Sequence, residues 1–220
     1  MAVKDNVQNV AKFDKWSGSY DSGRMTQWFT DGQARTIEAF GLKQDSTLLD
    51  VGCGTGWAVR QTAELVPDGK ACGIDISPGM ISRATEQAEG VANVEFKLAD
   101  AESIPYRDET FDAVMCTNSF HHYSSPVMAL REMRRVLKAG GQLMIRDPDR
   151  GACLWVRLWD TFNRAFEKGH VRYYTLREAQ QTLEEAGFAK VELVAFEHRH
   201  FQKGKIGSAV YVIRATEVKS

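Results

Sequence analysis

The chain has few of the features that mark secreted, membrane-spanning or nucleic-acid-binding proteins. It has four cysteines among 220 residues and no Cys-x-x-Cys pair, so the sequence indicates neither a disulfide framework nor a metal site. No apolar run approaches the roughly 20 residues that span a bilayer, and the first residues lack a signal-peptide core. Lys and Arg number 28 against 29 Asp and Glu, so no excess positive charge attracts a phosphate backbone. We therefore expect a cytoplasmic protein with no integral membrane segment that does not bind nucleic acid.

Three glycines spaced two residues apart are the most informative feature that is present. They lie in the stretch Leu48-Leu49-Asp50-Val51-Gly52-Cys53-Gly54-Thr55-Gly56, where an apolar run meets an acid and then the glycines. A helical pattern follows, so the free N–H groups of its first turn would face a ligand over the loop. The stretch predicts a strand, a tight turn and a helix start that bind a nucleotide-like ligand. The alternative is a turn that needs glycine only for its backbone conformation.

Predicted strands and helices alternate around this stretch. Strands are predicted at 47–51, 70–75, 94–98, 111–116 and 142–146, and helices at 56–66, 78–89 and from 126 to the glycines at 140–141. A capping box, Thr175 to Glu178, opens a last helix, and strands at 188–196 and 206–213 are expected to pair antiparallel. The pattern predicts an α/β fold: a Rossmann-like doubly wound sheet of seven strands, mostly parallel with an antiparallel C-terminal hairpin.

The chain is long enough for one domain, and we expect residues 1–220 to form a single one. Its predicted parts are an N-terminal helical lid or flank (1–42), a cofactor-binding core (43–147), a substrate-lid insertion (148–174), and the C-terminal helix and hairpin (175–220). The insertion carries an apolar helix face between Leu154 and Phe166. Three interpretations of this face stay open: ordinary core packing, a lid over the substrate, and a helix that makes peripheral contact with a membrane. The sequence does not indicate an oligomeric state.

Two ligands compete for the glycine loop, a nicotinamide dinucleotide and S-adenosylmethionine. The carboxylate of Asp50 would repel a pyrophosphate but attract the ammonium and sulfonium groups of S-adenosylmethionine. The glycine spacing also departs from the dinucleotide pattern GxGxxG, in which the last gap is one residue longer. Asp75 ends the next strand and suits ribose hydroxyls with either ligand. The carboxylate of Asp50 and the glycine spacing therefore both favour S-adenosylmethionine.

Five segments occur in the order found in a known family. They are LLDVGCGTG, GIDIS, LADAESIPY, FDAVMCTNSFHHY and LREMRRVLKAGGQLMI. In them the chain resembles the class I S-adenosylmethionine-dependent methyltransferases, most closely the ubiquinone/menaquinone-biosynthesis (methyltransferase type 11) branch. The resemblance covers about residues 11 to 147 and implies the cofactor, S-adenosyl-L-methionine, better than the substrate. One departure is Trp57, where the quinone enzymes commonly carry an acid or a small residue.

The resemblance implies a role for each matched position. Asp50 would fix the loop, and Asp75 would hold the ribose. Asp100 would accept a hydrogen bond from the adenine amino group, and the Thr117 carbonyl would meet the methionine ammonium. The remaining implied cofactor-binding residues are Gly52, Gly54, Thr55 and Gly56 around the methionine part, Ile76 and Ala101 at the adenine, and Tyr20 closing over the cofactor.

The expected reaction is methyl transfer to a small, partly apolar acceptor such as a quinone or phenol ring, a thiol or a natural product. The segment after the fourth strand lacks the Asn-Pro-Pro-Tyr type of motif that amine methyltransferases often carry. His122 ranks first as a catalytic base, for acceptors that must lose a proton. The other candidates are His121, Tyr123, Asp147, Asp149, His170 and Tyr173. The alternatives are an NAD(P)-dependent reductase and a catalytically silent S-adenosylmethionine-binding partner protein.

Overall fold

The computed structural model describes residues 14, 24–151, 156–158, 160–162, 171–201 and 205–216, without the side chains of 24–26, 196–201 and 205–209. The strands are β1 (Thr47–Val51), β2 (Lys70–Asp75), β3 (Val94–Leu98), β4 (Phe111–Thr117), β5 (Leu137–Pro148), β6 (Lys190–Phe201) and β7 (Lys205–Thr216). The helices are α1 (Arg24–Phe40), α2 (Trp57–Leu65), α3 (Pro78–Gln87), α4 (Pro126–Val136) and α5 (Leu176–Glu185), with a 3-10 turn at Phe120–His122. None of the helices within the described ranges is long and apolar enough to cross a bilayer.

The strands form one seven-stranded sheet in the order β3-β2-β1-β4-β5-β7-β6. The first five strands are parallel, and β7 pairs antiparallel with both β5 and β6. This confirms the predicted Rossmann-like sheet with its antiparallel C-terminal hairpin. Strands β1 and β4 are buried over nearly their whole length, as their apolar sequences require in the centre of a parallel sheet.

The strand order reverses at β1, which has β2 on one side and β4 on the other. In doubly wound sheets the connections diverge at this point and leave a crevice at the carboxyl ends of the strands. The glycine loop begins there, because it directly follows β1. The topology therefore places the loop at the position where such folds bind ligands.

The glycine loop packs closely on the neighbouring segments. The N–H groups of Gly52 and Cys53 both donate to the carbonyl of Ile74, at 2.8 and 3.0 Å. Gly56 has a left-handed backbone (φ 75°), and a Cβ atom there would lie 2.6 Å from the ring of Phe96. Only glycine satisfies both the backbone angle and the lack of space at this position.

The predicted boundary between α4 and β5 is wrong. The helix ends at Val136, and β5 begins at Leu137 rather than at Gln142. Leu137 is fully buried and pairs with Phe111 at the start of β4, before a register shift in the ladder. The apolar residues at 136 and 137 fit either a helix face or a buried strand, so periodicity did not separate the two. By contrast, the capping box at Thr175 and Glu178 is formed as predicted.

Candidate active site

A cavity lies over the carboxyl ends of the central strands, with about 1030 Å³ of space including the solvent at its mouth. Its walls come from the glycine loop, from the segments that follow β2, β3 and β4, and from α1. The cavity brings together these predicted residues: Gly52, Gly54, Thr55, Asp75, Ile76, Asp100, Ala101, Thr117 and His122. Distant parts of the sequence therefore meet at one site.

Two predicted site residues that the structure describes, Gly56 and Asp50, do not line this cavity. Gly56 shapes the start of α2 from behind the loop. Asp50 is fully buried within β1, under the loop. Tyr20 lies outside the described residues, so its predicted contact with the cofactor stays a prediction.

Asp75 joins the glycine loop to the segment after β2. Its Oδ2 accepts a hydrogen bond from the Gly54 N–H, and its Oδ1 accepts one from the Ser77 N–H, both at 2.9 Å. Burial raises the pKa of this carboxyl, and the nearby Asp14 carboxylate adds to the shift. Each carboxylate oxygen can accept a second hydrogen bond, so Asp75 can hold the loop and still receive hydroxyl donors from the cavity.

Asp14 has a role that the sequence analysis missed. Its Oδ1 accepts from the Gly79 N–H at 2.8 Å and from the hydroxyl of Ser77, which is itself the N-cap of α3. This carboxylate therefore complements the positive end of the helix next to the cavity. No periodic pattern signals a contact between residues 65 positions apart, so the sequence alone could not have shown it.

Asp50 sits in an unusual electrostatic environment. Among the described residues neither of its carboxylate oxygens has a hydrogen-bond partner. Burial, together with the charge of Asp75, raises the pKa of Asp50 to about 8. The negative charge that the sequence analysis assigned to Asp50 is therefore reduced at neutral pH, and its role in fixing the loop stays a prediction.

This raised pKa predicts how stability changes with pH. Between about pH 4 and 8 the unfolded Asp50 carboxyl is ionised while the folded one keeps its proton, so the free energy of unfolding falls as pH rises. The Asp50→Asn side chain is neutral at every pH, so the variant should lack this pH-dependent part of the free energy of unfolding, which is on the order of a few kcal/mol. Denaturant titrations across that range measure it, with the exposed Asp68→Asn as control. An unchanged pH dependence in Asp50→Asn contradicts the assignment.

Among the candidate bases that the structure describes, His122 and Tyr123 line the cavity. The Tyr123 hydroxyl donates to the Val51 carbonyl at 3.2 Å and shares a hydrogen bond of 2.8 Å with the Ser119 hydroxyl. Burial raises the pKa of Tyr123 well above its usual value, so it is a poor base. His122 is partly exposed to the cavity, and its ring stacks 4.0 Å from that of His121.

The other candidate bases lie behind the cavity wall or outside the described residues. The Nδ1 atom of His121 lies 2.9 Å from a carboxylate oxygen of the fully buried Asp147. Asp149 accepts hydrogen bonds from the backbone N–H groups of Gly151 and Leu176. Tyr173 packs its ring against His121, and His170 is not described. Of the four that the structure describes, none lines the cavity, and His121 belongs to the turn that carries His122.

Helix α1 forms part of the cavity wall and packs against α2, β4 and β5. Phe29, Thr30 and Gln33 line the cavity, and the Gln33 amide donates to the Thr117 hydroxyl at 3.2 Å. The sequence analysis predicted a lid or flank here without naming these residues, because their spacing resembles that of any amphipathic helix. Within the described part of the chain, no cluster of His, Cys, Asp or Glu is placed to hold a metal ion.

Comparison with known proteins agrees with this geometry. Residues 49–145 match the family model described as a methyltransferase domain. A demethylmenaquinone methyltransferase of Staphylococcus aureus is 27% identical, over 86% of each chain. A methyltransferase from Aquifex aeolicus, described as SAM-dependent, has a solved structure that superposes with a TM-score of 0.71 at 25% identity, over 93% of this chain and 98% of that one. The YcgJ protein of Bacillus subtilis superposes with a TM-score of 0.76 at 21% identity, over 87% and 100%.

The family model covers the glycine loop and the strands that follow it, and the similar proteins cover most of the chain. They do not favour the reductase or the silent binding protein that the sequence had left open. They confirm the predicted cofactor, S-adenosyl-L-methionine, and the predicted resemblance. The chain is an S-adenosylmethionine-dependent methyltransferase, and it is similar to the class I family of these enzymes.

Proposed function

We propose that the enzyme methylates a small, partly apolar acceptor, with a quinol or phenol ring as the preferred class. The observation that carries this proposal is the division of the cavity into two halves. The half over β1, β2 and β3 offers the carboxylates of Asp75 and Asp100, whereas the half beside β4 offers Phe29 and His122. The first suits the hydroxyl and amino donors of an adenosine, and the second suits an aromatic ring that loses a proton.

The residues present fit the cofactor. Asp75 has free acceptor capacity for ribose hydroxyls, whereas Asp100 and the Ala101 N–H would meet an adenine edge, with Ile76 against its face. Gly52, Gly54 and Thr55 would surround the methionine part, and the Thr117 carbonyl would meet its ammonium group. S-adenosylmethionine supplies an electrophilic methyl group on a sulfonium. The roles of Asp50 and Gly56 are indirect, since one supports the loop and the other opens α2.

The chain's own contribution is positioning, exclusion of water and transfer of a proton. Helix α1 and the turn Phe120–His122 hold the acceptor between them, so that the ring atom to be methylated lies in line with the methyl donor. His122 takes the proton that the acceptor loses, at a ring nitrogen that faces the cavity. The leaving group is neutral, so no acid is required.

Two further features support this assignment. The similar Staphylococcus aureus protein is named for a quinone precursor, which makes a quinol ring the first acceptor to test. Of the four cysteines, Cys53, Cys72 and Cys116 are buried and free, which suits the reducing cytoplasm. We therefore propose that the methyl acceptor is a small molecule in the cytoplasm.

An acceptor screen with methyl-labelled S-adenosylmethionine tests the proposal. We expect label in 1,4-naphthohydroquinone or a substituted phenol, and little in a thiol, a nucleic acid or a protein. Binding of S-adenosylhomocysteine, followed by calorimetry, serves as the control for a folded site. Intact binding without label transfer to any acceptor class identifies a silent binding protein. Heat from NADH with none from S-adenosylhomocysteine favours a reductase instead.

A further inference from the structure

Asn118, which the sequence analysis did not single out, has a strained backbone at the edge of the cavity. It follows β4 directly, lines the cavity, and adopts a left-handed conformation with φ 54°. This conformation costs most residues about 1–2 kcal/mol, although asparagine tolerates it better than others. Such strain is kept where the surrounding structure imposes it, often at functional sites.

The neighbouring strand holds Asn118 in place through Arg146. The Asn118 N–H donates to the Arg146 carbonyl at 2.8 Å, and the Arg146 Nη1 donates to the Asn118 Oδ1 at 3.2 Å. Arg146 is fully buried, and its guanidinium lies 4.6 Å from the centre of the Trp28 ring. Gly32 of α1 leaves the space for it, since a Cβ atom there would lie 2.2 Å from the guanidinium carbon.

The guanidinium fixes the orientation of the Asn118 amide. Arginine has only N–H donors, so it must face the amide oxygen of Asn118 and never the amide nitrogen. The Nδ2 group of Asn118 is thereby turned away from Arg146, and it has no hydrogen-bond partner in the described part of the chain. Asn118 lines the cavity and thus offers an N–H donor whose orientation a buried positive charge fixes, a combination that stabilises an oxygen carrying negative charge.

The strand order shows which half of the cavity this donor serves. Asn118 follows β4 and is tied to β5, whereas Asp75 and Asp100 follow β2 and β3 on the other side of β1. His122 also follows β4, and Gln33 of α1 donates to the hydroxyl of Thr117, the residue before Asn118. We propose that Asn118, oriented by Arg146, binds a carbonyl or phenolate oxygen of the methyl acceptor and so selects oxygen-bearing rings. This assignment rests on the proposed function, because it takes the β4 half as the acceptor half.

The methionine carboxylate of the cofactor is the other oxygen anion that enters the cavity. Two variants show whether Asn118 binds the oxygen of the methyl acceptor or the methionine carboxylate of the cofactor. Asn118→Gly removes the amide and relieves the left-handed backbone, and Asn118→Asp keeps the shape but replaces the donor by an acceptor beside Arg146. Both substitutions suit φ 54°, so both proteins should fold. If Asn118 serves the acceptor, the affinity for S-adenosylhomocysteine stays within about twofold of wild type.

The test is calorimetry on protein saturated with S-adenosylhomocysteine, with 4-nitrophenolate and nitrobenzene as probes. The two probes share a ring and a nitro group but differ in the phenolate oxygen. We expect the wild type to prefer 4-nitrophenolate and both variants to lose roughly 10- to 100-fold of that affinity, as for one hydrogen bond to a charged group. Nitrobenzene binding should change by less than about twofold, since it lacks the bonded oxygen.

Three outcomes would overturn the proposal. If the wild type binds both probes with equal affinity, the protein has no site that selects the oxygen. If the variants lose equal affinity for both probes, the role of Asn118 is purely steric. A loss of S-adenosylhomocysteine affinity assigns Nδ2 to the cofactor carboxylate. The label-transfer screen is read separately, so a protein that selects the phenolate but methylates nothing refutes the proposed function and leaves the oxygen site standing.

Discussion

Replacement of His122 by glutamine is expected to lower the rate of methyl transfer to a ring acceptor by about 100-fold or more, the usual contribution of a general base. His122 is the histidine that lines the cavity in the described structure, and its side chain lies beside the acceptor half. Its neighbour His121 is held by Asp147 and cannot replace it without breaking a buried pair. The measurement is single-turnover methyl transfer as a function of pH.

The pH profile separates a base from a residue that only shapes the cavity. A base must be neutral to accept a proton, so wild-type activity should rise with pH as His122 loses its proton and then level off. The His122→Gln profile should lose this rise, while the affinity for S-adenosylhomocysteine stays the same. Tyr123→Phe is the matched control, because its hydroxyl is bonded to the Val51 carbonyl and carries no proton from the acceptor. An unaltered profile in His122→Gln ends the assignment.

Replacement of Asp75 by alanine should weaken S-adenosylhomocysteine binding by roughly 100-fold. Hydrogen bonds to a charged group contribute about 1.5–3 kcal/mol each, and the variant loses both the predicted ribose contacts and the acceptor for the Gly54 N–H. Calorimetry of the unliganded protein with S-adenosylhomocysteine gives the affinity directly. Because the carboxylate also joins two loops, the thermal unfolding of the unliganded variant must be measured alongside.

Asp68→Ala provides the control for a lost carboxylate, since Asp68 is exposed in the turn before β2. We expect it to bind S-adenosylhomocysteine like the wild type. A comparison with adenosine lacking its ribose hydroxyls sharpens the result, because such a ligand should bind wild type and Asp75→Ala almost equally. If Asp75→Ala folds and keeps wild-type affinity, the ribose assignment is refuted.

The cofactor half of the site could be predicted from the sequence because its residues directly follow predicted strands. Once alternating strands and helices indicate a parallel sheet, the carboxyl ends of β1, β2 and β3 must lie side by side. Asp75 and Asp100 are then neighbours of the glycine loop without any knowledge of their contacts. The cavity agrees, although their individual roles stay predictions.

The acceptor half could not be predicted in the same way. The contact of Arg146 with Trp28 and Gly32 joins residues more than a hundred positions apart, and neither Gly32 nor Arg146 belongs to a motif. A glycine inside α1 and an arginine inside a buried strand each conflict with local preference. A glycine inside a helix and an arginine inside a buried strand are therefore the sequence features that could have indicated this contact. They can be interpreted only once the packing shows that the glycine makes room for the arginine.

The two adjacent charged residues of β5 also help to set the register in which this strand pairs with its neighbours. Arg146 and Asp147 are both fully buried, and they face opposite sides of the sheet, towards Trp28 of α1 and towards His121. A slip of β5 by one residue would exchange them. The carboxylate would then lie over the electron-rich face of the indole, and the guanidinium would lose its ring and its asparagine. The two opposite charges therefore favour the observed register, since a slip by one residue would leave both of them buried without these partners.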